Sequence, residues 1–211
     1  MNALFSVDQA VARLMGFRDH MFPYRLGAGG HRVIGPDTPW SPDPFGVVGC
    51  DCWGAIRFAY GLPSHLPGFN KNAYPRFDIL DVEDDINANS AIGDARHTRA
   101  LFVEIASPGE PIRPGDILTY PTIMLVDRLK TNWILNDDST IRRWIGHGAI
   151  VVDAWGSTVG KSFSNIQILQ CYGPNDRRPA ICQTDGSVFD HHDSIWPNFE
   201  HRTTVLRVQH V

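Results

Sequence analysis

The chain has 211 residues, 43% of them hydrophobic and 20% charged, which is the balance of an ordinary globular protein. Its formal net charge of −4 argues against a function based on binding nucleic acid or an anionic membrane surface. No apolar run approaches the roughly 20 residues that span a bilayer, and four cysteines are too few for a disulfide scaffold.

The predicted elements begin with a helix over about residues 7–20. Ser6 and Gln9 have the spacing of a capping box, and apolar residues recur with the period of a helix at Leu4, Val7, Val11 and Leu14. Residues 25–49 are rich in glycine and proline and are predicted to form a long loop. Such a loop inside a compact domain is usually functional.

A second helix is predicted from about Cys52 to Tyr60, because Gly61 can end it in the left-handed conformation and Pro63 follows. The next segment, residues 64–105, is polar and irregular. It has only weak helical patterns, around residues 79–88 and 95–105.

Strand patterns dominate the rest of the chain, at residues 117–120, 147–153, 166–172, 180–183, 187–189 and 204–208. Helices first and consecutive strands afterwards predict an α+β fold in a single domain, residues 1–211. In that fold the helices pack on one side of a mainly antiparallel sheet of about five to six strands.

Two residues in this arrangement are candidates for catalysis. Cys52 lies where a loop enters the second predicted helix, and a helix N-terminus favours a thiolate through its unpaired N–H groups and partial positive charge. His147 opens a buried strand between Gly146 and Gly148, which leave room for its ring. A thiol and an imidazole so placed are typical of a cysteine hydrolase. We therefore expect the Cys52 sulfur within about 4 Å of a His147 ring nitrogen.

Other interpretations of these and neighbouring residues stay open. Cys52 could be a small buried hydrophobe and His147 a core histidine, as in a non-catalytic binding module. Cys50 is expected to be a packing residue or a redox partner. Residues 190–193 (Asp-His-His-Asp), with His201 nearby, are a poor metal site because neighbouring histidines on a strand point to opposite faces. The cysteine spacings do not match a zinc site either, so no metal or cofactor is expected.

Four short segments follow one another in a defined order: residues 24–27 (Tyr-Arg-Leu-Gly), 51–54 (Asp-Cys-Trp-Gly), 112–117 (Ile-Arg-Pro-Gly-Asp-Ile) and 146–151 (Gly-His-Gly-Ala-Ile-Val). Together they resemble the NlpC-like cell-wall cysteine peptidases, the bacterial branch of the papain-like fold. That family has a tyrosine-glycine loop, an Asp-Cys-Ser-Gly signature, a Pro-Gly-Asp turn and a His-Val-Gly-Ile strand. Trp53 stands where the family has serine, and segments near 64–105 and 124–143 would be insertions.

The resemblance implies a papain-like fold and a thiol hydrolase that cleaves amide bonds, with Cys52 as the nucleophile and His147 as the base. It places the residue that orients the histidine on the next strand, where Gln170 is the best positional match. A glutamine carbonyl could accept the Nδ1 proton of the imidazole. Asn175 and Asp176 are the alternative candidates for this role.

The resemblance also implies a substrate site around the nucleophile. Tyr24 would lie at the edge of the cleft and contact the substrate. Asp51 and Trp53 flank Cys52 and are expected near the substrate as well, with Asp51 shaping the turn that begins the helix. The Cys52 backbone N–H would stabilise the oxyanion.

The expected substrate is a peptide of peptidoglycan or a similar amide. Asp8 and Arg13 interrupt any signal-peptide pattern at the N-terminus, so delivery to a cell wall by a phage particle, lysis or a secretion apparatus is expected. An amidase or acyltransferase that uses the same thioester chemistry on another substrate is the alternative within this fold.

Overall fold

The computed structural model describes residues 5–16, 18, 41–42, 48–49, 51–63, 65–69, 86–126, 134–135, 141–144, 146–172, 181–195 and 202–209. The α-helices in this part of the chain are α1 (Val7–Met15), α2 (Cys52–Tyr60), α3 (Ala88–Gly93) and α4 (Ser187–Ile195). Its strands are β1 (Ser41–Pro42), β2 (Val48–Gly49), β3 (Phe102–Glu104), β4 (Ile117–Tyr120), β5 (Ile123–Val126), β6 (Ile134–Leu135), β7 (Ile141–Trp144), β8 (His147–Asp153), β9 (Gln167–Cys171), β10 (Ile181–Asp185) and β11 (Thr204–Val208).

The main sheet has six antiparallel strands in the order β10-β9-β8-β4-β11-β3. Its strand β8 pairs with β4, where His147 lies opposite Tyr120, and with β9, where Ala149 lies opposite Gln170. Two smaller sheets, β1-β2 and β5-β7-β6, are separate from it in the described residues. The predicted α+β class, with a sheet of this size, is confirmed.

Local sequence sets the ends of the first two helices. Ser6 caps α1 through the predicted capping box, but the helix ends at Met15, before the predicted end at residue 20. Asp51 caps α2, since its Oδ1 accepts the Gly54 N–H at 2.6 Å. Gly61 ends α2 with a φ of 68°. The predicted bounds of this helix, which carries the candidate nucleophile, are confirmed.

The helix predicted around residues 95–105 is wrong over most of its length. Helix α3 continues only into a π-helical turn, Asp94–Thr98. The buried Asp94 carboxylate then accepts the backbone N–H groups of Ala100, Leu101 and Phe102 at 2.9, 2.8 and 2.9 Å. These bonds take the chain out of the helix and into β3. Most of the helix predicted at 79–88 lies outside the described residues.

Side-chain alternation divides the main sheet into two buried faces. Ile117, Ile150 and Leu169 belong to the core that includes α1 and α2, and their side of the sheet is called the α2 face. Ala149 belongs to a second core that includes Phe189 of α4, and this side is called the α4 face. The prediction that helices pack on only one side of the sheet is therefore wrong.

Helix α4 was missed because its apolar pattern is sparse. Residues 187–189 are predicted as a strand, yet they begin this helix. The Asp185 carboxylate accepts the Ser187 N–H at 2.9 Å at the helix start. Only Phe189 and His192 of α4 are fully buried. Two buried positions three apart are too few for periodicity to separate a short helix from a short strand.

Candidate active site

The candidate nucleophile lies at the first position of α2, packed against the main sheet. Cys52 is buried on the α2 face, and the backbone N–H groups of Trp53 and Gly148 each lower the pKa of its thiol. The first donor belongs to the helix start and the second to β8. Cys52 therefore has the helix-terminal position predicted from the sequence, and it contacts the strand that begins with His147.

The charge state of the thiol differs from the expectation. Burial raises the pKa of the Cys52 thiol, and the Asp51 carboxylate and the Cys171 thiol raise it further. The two backbone N–H groups lower the pKa, but their effect is smaller. The helix-start field is thus outweighed by the loss of solvent. In this arrangement the sulfur is a neutral thiol at neutral pH.

The candidate base, His147, and its proposed orienting residue, Gln170, are in contact. The Nε2 atom of His147 lies 2.7 Å from Oε1 of Gln170. The Gln170 amide nitrogen donates to Oγ1 of Thr184 at 2.8 Å, and the Thr184 hydroxyl donates to the Asp185 carbonyl at 3.0 Å. This chain of donors gives Gln170 the acceptor role toward the ring, so Nε2 carries the proton and Nδ1 is the basic atom. The expectation that Gln170 holds the Nδ1 proton is wrong.

His147 is enclosed by aromatic rings on the α4 face. Its ring centroid lies 6.0 Å from that of Tyr120 and 5.8 Å from that of Phe189. Burial lowers the pKa of the imidazole to about 4, while the hydrogen bond to Gln170 acts in the opposite direction. His147 is therefore a neutral imidazole at neutral pH.

The Cys52 thiol and the His147 imidazole lie on opposite faces of the sheet. A Cβ atom at Gly148 would come 2.8 Å from Ile56 and 2.9 Å from the indole nitrogen of Trp53, so position 148 faces α2. The side chain of His147, one residue earlier, points away from α2 toward Phe189. The expected contact between Cys52 and His147 is absent from the described structure, although both residues lie at the same end of the sheet.

The other predicted site residues have different surroundings. Asp51 is buried and caps α2, which agrees with a role in shaping the turn. Trp53 is buried, and its ring packs edge-on against Phe102 with centroids 6.0 Å apart, so it offers no surface to a substrate in this arrangement. The remaining predicted positions lie outside the described residues: Tyr24, Cys50, Asn175 and Asp176.

Two residues linked to the imidazole through an intervening side chain were not predicted. Thr184, on β10, completes the hydrogen-bond chain through Gln170. His192 stacks on Tyr120 with ring centroids 3.8 Å apart, and its Nδ1 lies 3.2 Å from the Asp193 carboxylate. The strand assumed for residues 190–193 was wrong, so their sequence gave no signal of this contact. The described residues contain no group of three or more side chains able to hold a metal ion.

Comparisons with other proteins add no assignment to this geometry. Among the described residues, no helix has the length and apolar composition needed to cross a membrane. No protein-family model, curated protein or solved structure matches the chain.

Proposed function

We propose that the chain is a thiol hydrolase of amide bonds, with Cys52 as the nucleophile, His147 as the base and Gln170 as a positioning residue. The observation that carries the proposal is the 2.7 Å contact between His147 and Gln170. The strand that begins with His147 also provides the Gly148 N–H, which lowers the pKa of the Cys52 thiol. An oriented imidazole and a helix-start thiol thus adjoin the same end of the sheet. The four motifs favour peptides of peptidoglycan as the substrate and a papain-like fold.

The environment of Cys52 supports a role in acyl transfer. Two backbone N–H groups, from Trp53 and Gly148, lower the pKa of the Cys52 thiol and so oppose the effect of its burial. Backbone N–H groups that act on the thiol favour the negative charge that develops on sulfur as it attacks a carbonyl carbon. The Cys52 backbone N–H at the helix start is the proposed donor to the oxyanion, an effect of about 3 kcal/mol for one donor. Asp51 holds the helix start through its 2.6 Å bond to Gly54, which keeps the donor of Trp53 in place.

The proposed reaction runs through a thioester. Nδ1 of His147 takes the thiol proton as the Cys52 sulfur bonds to the carbonyl carbon, and the ring returns that proton to the amine when the C–N bond breaks. Water then gives a proton to Nδ1 and attacks the thioester, which releases the carboxylic acid and regenerates the thiol. Gln170 keeps the ring in the tautomer whose Nδ1 is basic.

The arrangement described above is inactive as it stands, because Cys52 and His147 face opposite sides of the sheet. Catalysis therefore requires the ring or the sulfur to move around the end of the sheet. His147 is the first residue of β8 and Cys52 the first residue of α2, so both lie where such a movement disturbs the fewest backbone hydrogen bonds. Substrate binding at this end would have to supply the free energy for it.

The test is mass spectrometry of cell-wall fragments incubated with the protein and with two matched variants. Cys171→Ala removes a buried thiol beside Cys52 and should still cleave the fragments, whereas Cys52→Ala should not. Thermal melts of both variants would show whether the folds are equally intact. Cleavage by Cys52→Ala at the wild-type rate would remove Cys52 from the reaction.

A non-catalytic binding or structural module is the second candidate, and the opposite orientation of the two side chains favours it. In that case Cys52 and His147 are core residues, and no amide substrate is cleaved. Alkylation separates the two candidates. A purely structural thiol stays unreactive at pH 7 with every peptide or wall fragment added. The hydrolase predicts that its substrate accelerates alkylation of Cys52 or protects it through a thioester.

A further inference from the structure

A cavity of about 340 Å³ lies on the α4 face, away from Cys52 and His147. It is bounded by α4, the loop between β8 and β9, and the residues that connect β3 to β4. Its apolar lining includes Ile105, Phe163 and Val205, all of which are buried. This volume lies at the lower end of the range found for small-molecule sites.

The carboxylates around the cavity are already held by protein donors. Glu104 binds Arg96 through two bonds of 2.9 and 3.1 Å. Asp193 accepts the N–H and the hydroxyl of Thr203 at 2.7 and 2.8 Å. Asp190 accepts bonds of 2.6 to 3.0 Å from the loop that it holds, at Ser162, Phe163 and Ser164. These acidic groups have little capacity left for a ligand.

Two cationic side chains, Lys161 and Arg202, have N–H donors that make no hydrogen bond within the described part of the protein. The Lys161 side chain forms no hydrogen bond or ion pair with any residue that the structure describes. Arg202 is half exposed, and its Nε forms a long ion pair with the Asp193 carboxylate at 3.7 Å, a distance too great for a hydrogen bond. Both residues line the cavity. The side chains available to a ligand are thus positive, next to an apolar floor.

We infer that this cavity binds a small molecule that carries one carboxylate on an apolar body. The carboxylate would lie between Lys161 and Arg202, and the apolar part against Phe163 and Val205. A doubly charged phosphate fits less well, because three acidic side chains balance the three basic ones around the cavity: Arg96, Lys161 and Arg202 against Glu104, Asp190 and Asp193. The inference does not depend on the proposed hydrolase activity.

The experiment is titration of the full chain with N-acetyl-leucine and, separately, with its uncharged carboxamide, followed by NMR. The acid should bind saturably and at least about tenfold more tightly than the amide, as expected for loss of a charged hydrogen bond. The double variant Lys161→Gln, Arg202→Gln should lose this preference. Arg113→Gln, which removes an exposed charge outside the cavity lining, should keep it.

Spectra of each variant without ligand establish that the fold is intact. Equal binding of acid and amide, wild-type binding by the double variant, or no saturable binding of the acid would each overturn the assignment. Chemical-shift changes confined to residues distant from Phe163 and Val205 would do so as well.

Discussion

At the scale of single residues, burial sets the protonation of both groups proposed to react. It raises the pKa of the Cys52 thiol and lowers that of the His147 imidazole to about 4. Each group is therefore held in its neutral form, and an ion pair between thiolate and imidazolium is disfavoured until water or a polar substrate reaches them. This explains how a thiol at a helix start can be unreactive at rest.

The depressed pKa of His147 predicts a loss of stability in acid. The unfolded ring takes up a proton below its ordinary pKa of 6.5, whereas the folded ring stays neutral down to about 4. Stability is therefore present above pH 6.5 and falls as the pH decreases toward 4, by about 3 kcal/mol in total. Urea denaturation of His147→Gln should show a shallower fall over this range than the wild type, whereas His191→Gln, which removes an exposed histidine, should not.

The bond to Gln170 predicts a separate effect on rate. Gln170→Ala removes the acceptor for Nε2 and should slow the reaction on an amide substrate, but by less than Cys52→Ala, because an orienting group does not form the thioester. It should also destabilise the fold by about 1–3 kcal/mol, since a buried N–H is left unpaired. Gln167→Ala, on the same strand but partly exposed, is the control. An unchanged kcat/KM in Gln170→Ala would exclude Gln170 from the site.

At the scale of elements, helix α2 has some properties that neighbouring residues determine and others that only the packed structure determines. Its start and end were predicted because Asp51 and Gly61 act within one turn of the helix. The ionisation of Cys52 was not, because it depends first on burial of the thiol and only then on the adjacent Asp51 and on Cys171 of β9. Capping is a short-range interaction, whereas desolvation is a property of the packed structure.

Two substitutions at Asp51 should separate its structural and electrostatic effects. Asp51→Asn keeps a capping oxygen for the Gly54 N–H but removes the charge that raises the pKa of Cys52, so alkylation at mildly alkaline pH should accelerate with little loss of stability. Asp51→Ala loses the cap and about 1 kcal/mol. Ser6→Ala, which removes the cap of α1, should lower stability without changing the thiol. Equal alkylation rates in Asp51→Asn and the wild type would contradict the electrostatic effect.

At the scale of the whole molecule, the sheet covered on both faces explains why the site was predicted only in part. The alternation of side chains along β8 places His147 and Ala149 on one face and Ile150 on the other. Alternation alone does not say which face receives the helix. Gly148 decides this, because its missing side chain makes room for Trp53 and Ile56 of α2. The glycine was expected to leave room for the imidazole, and it serves the helix instead.

The last prediction concerns the rearrangement that the hydrolase proposal requires. Iodoacetamide, applied with a wall fragment present, converts Cys52 into a thioether whose amide carbonyl lies one CH2 group from the sulfur. A crystal structure of this adduct should have Nδ1 of His147 within about 4 Å of the sulfur, with the bond to Gln170 retained. The same adduct of Gln170→Ala should have a less ordered ring. An adduct in which His147 still stacks on Phe189, as in the structure described here, would contradict the hydrolase and support the non-catalytic module. This measurement reads the position of the ring directly, so it distinguishes the two functions without a measured rate of cleavage.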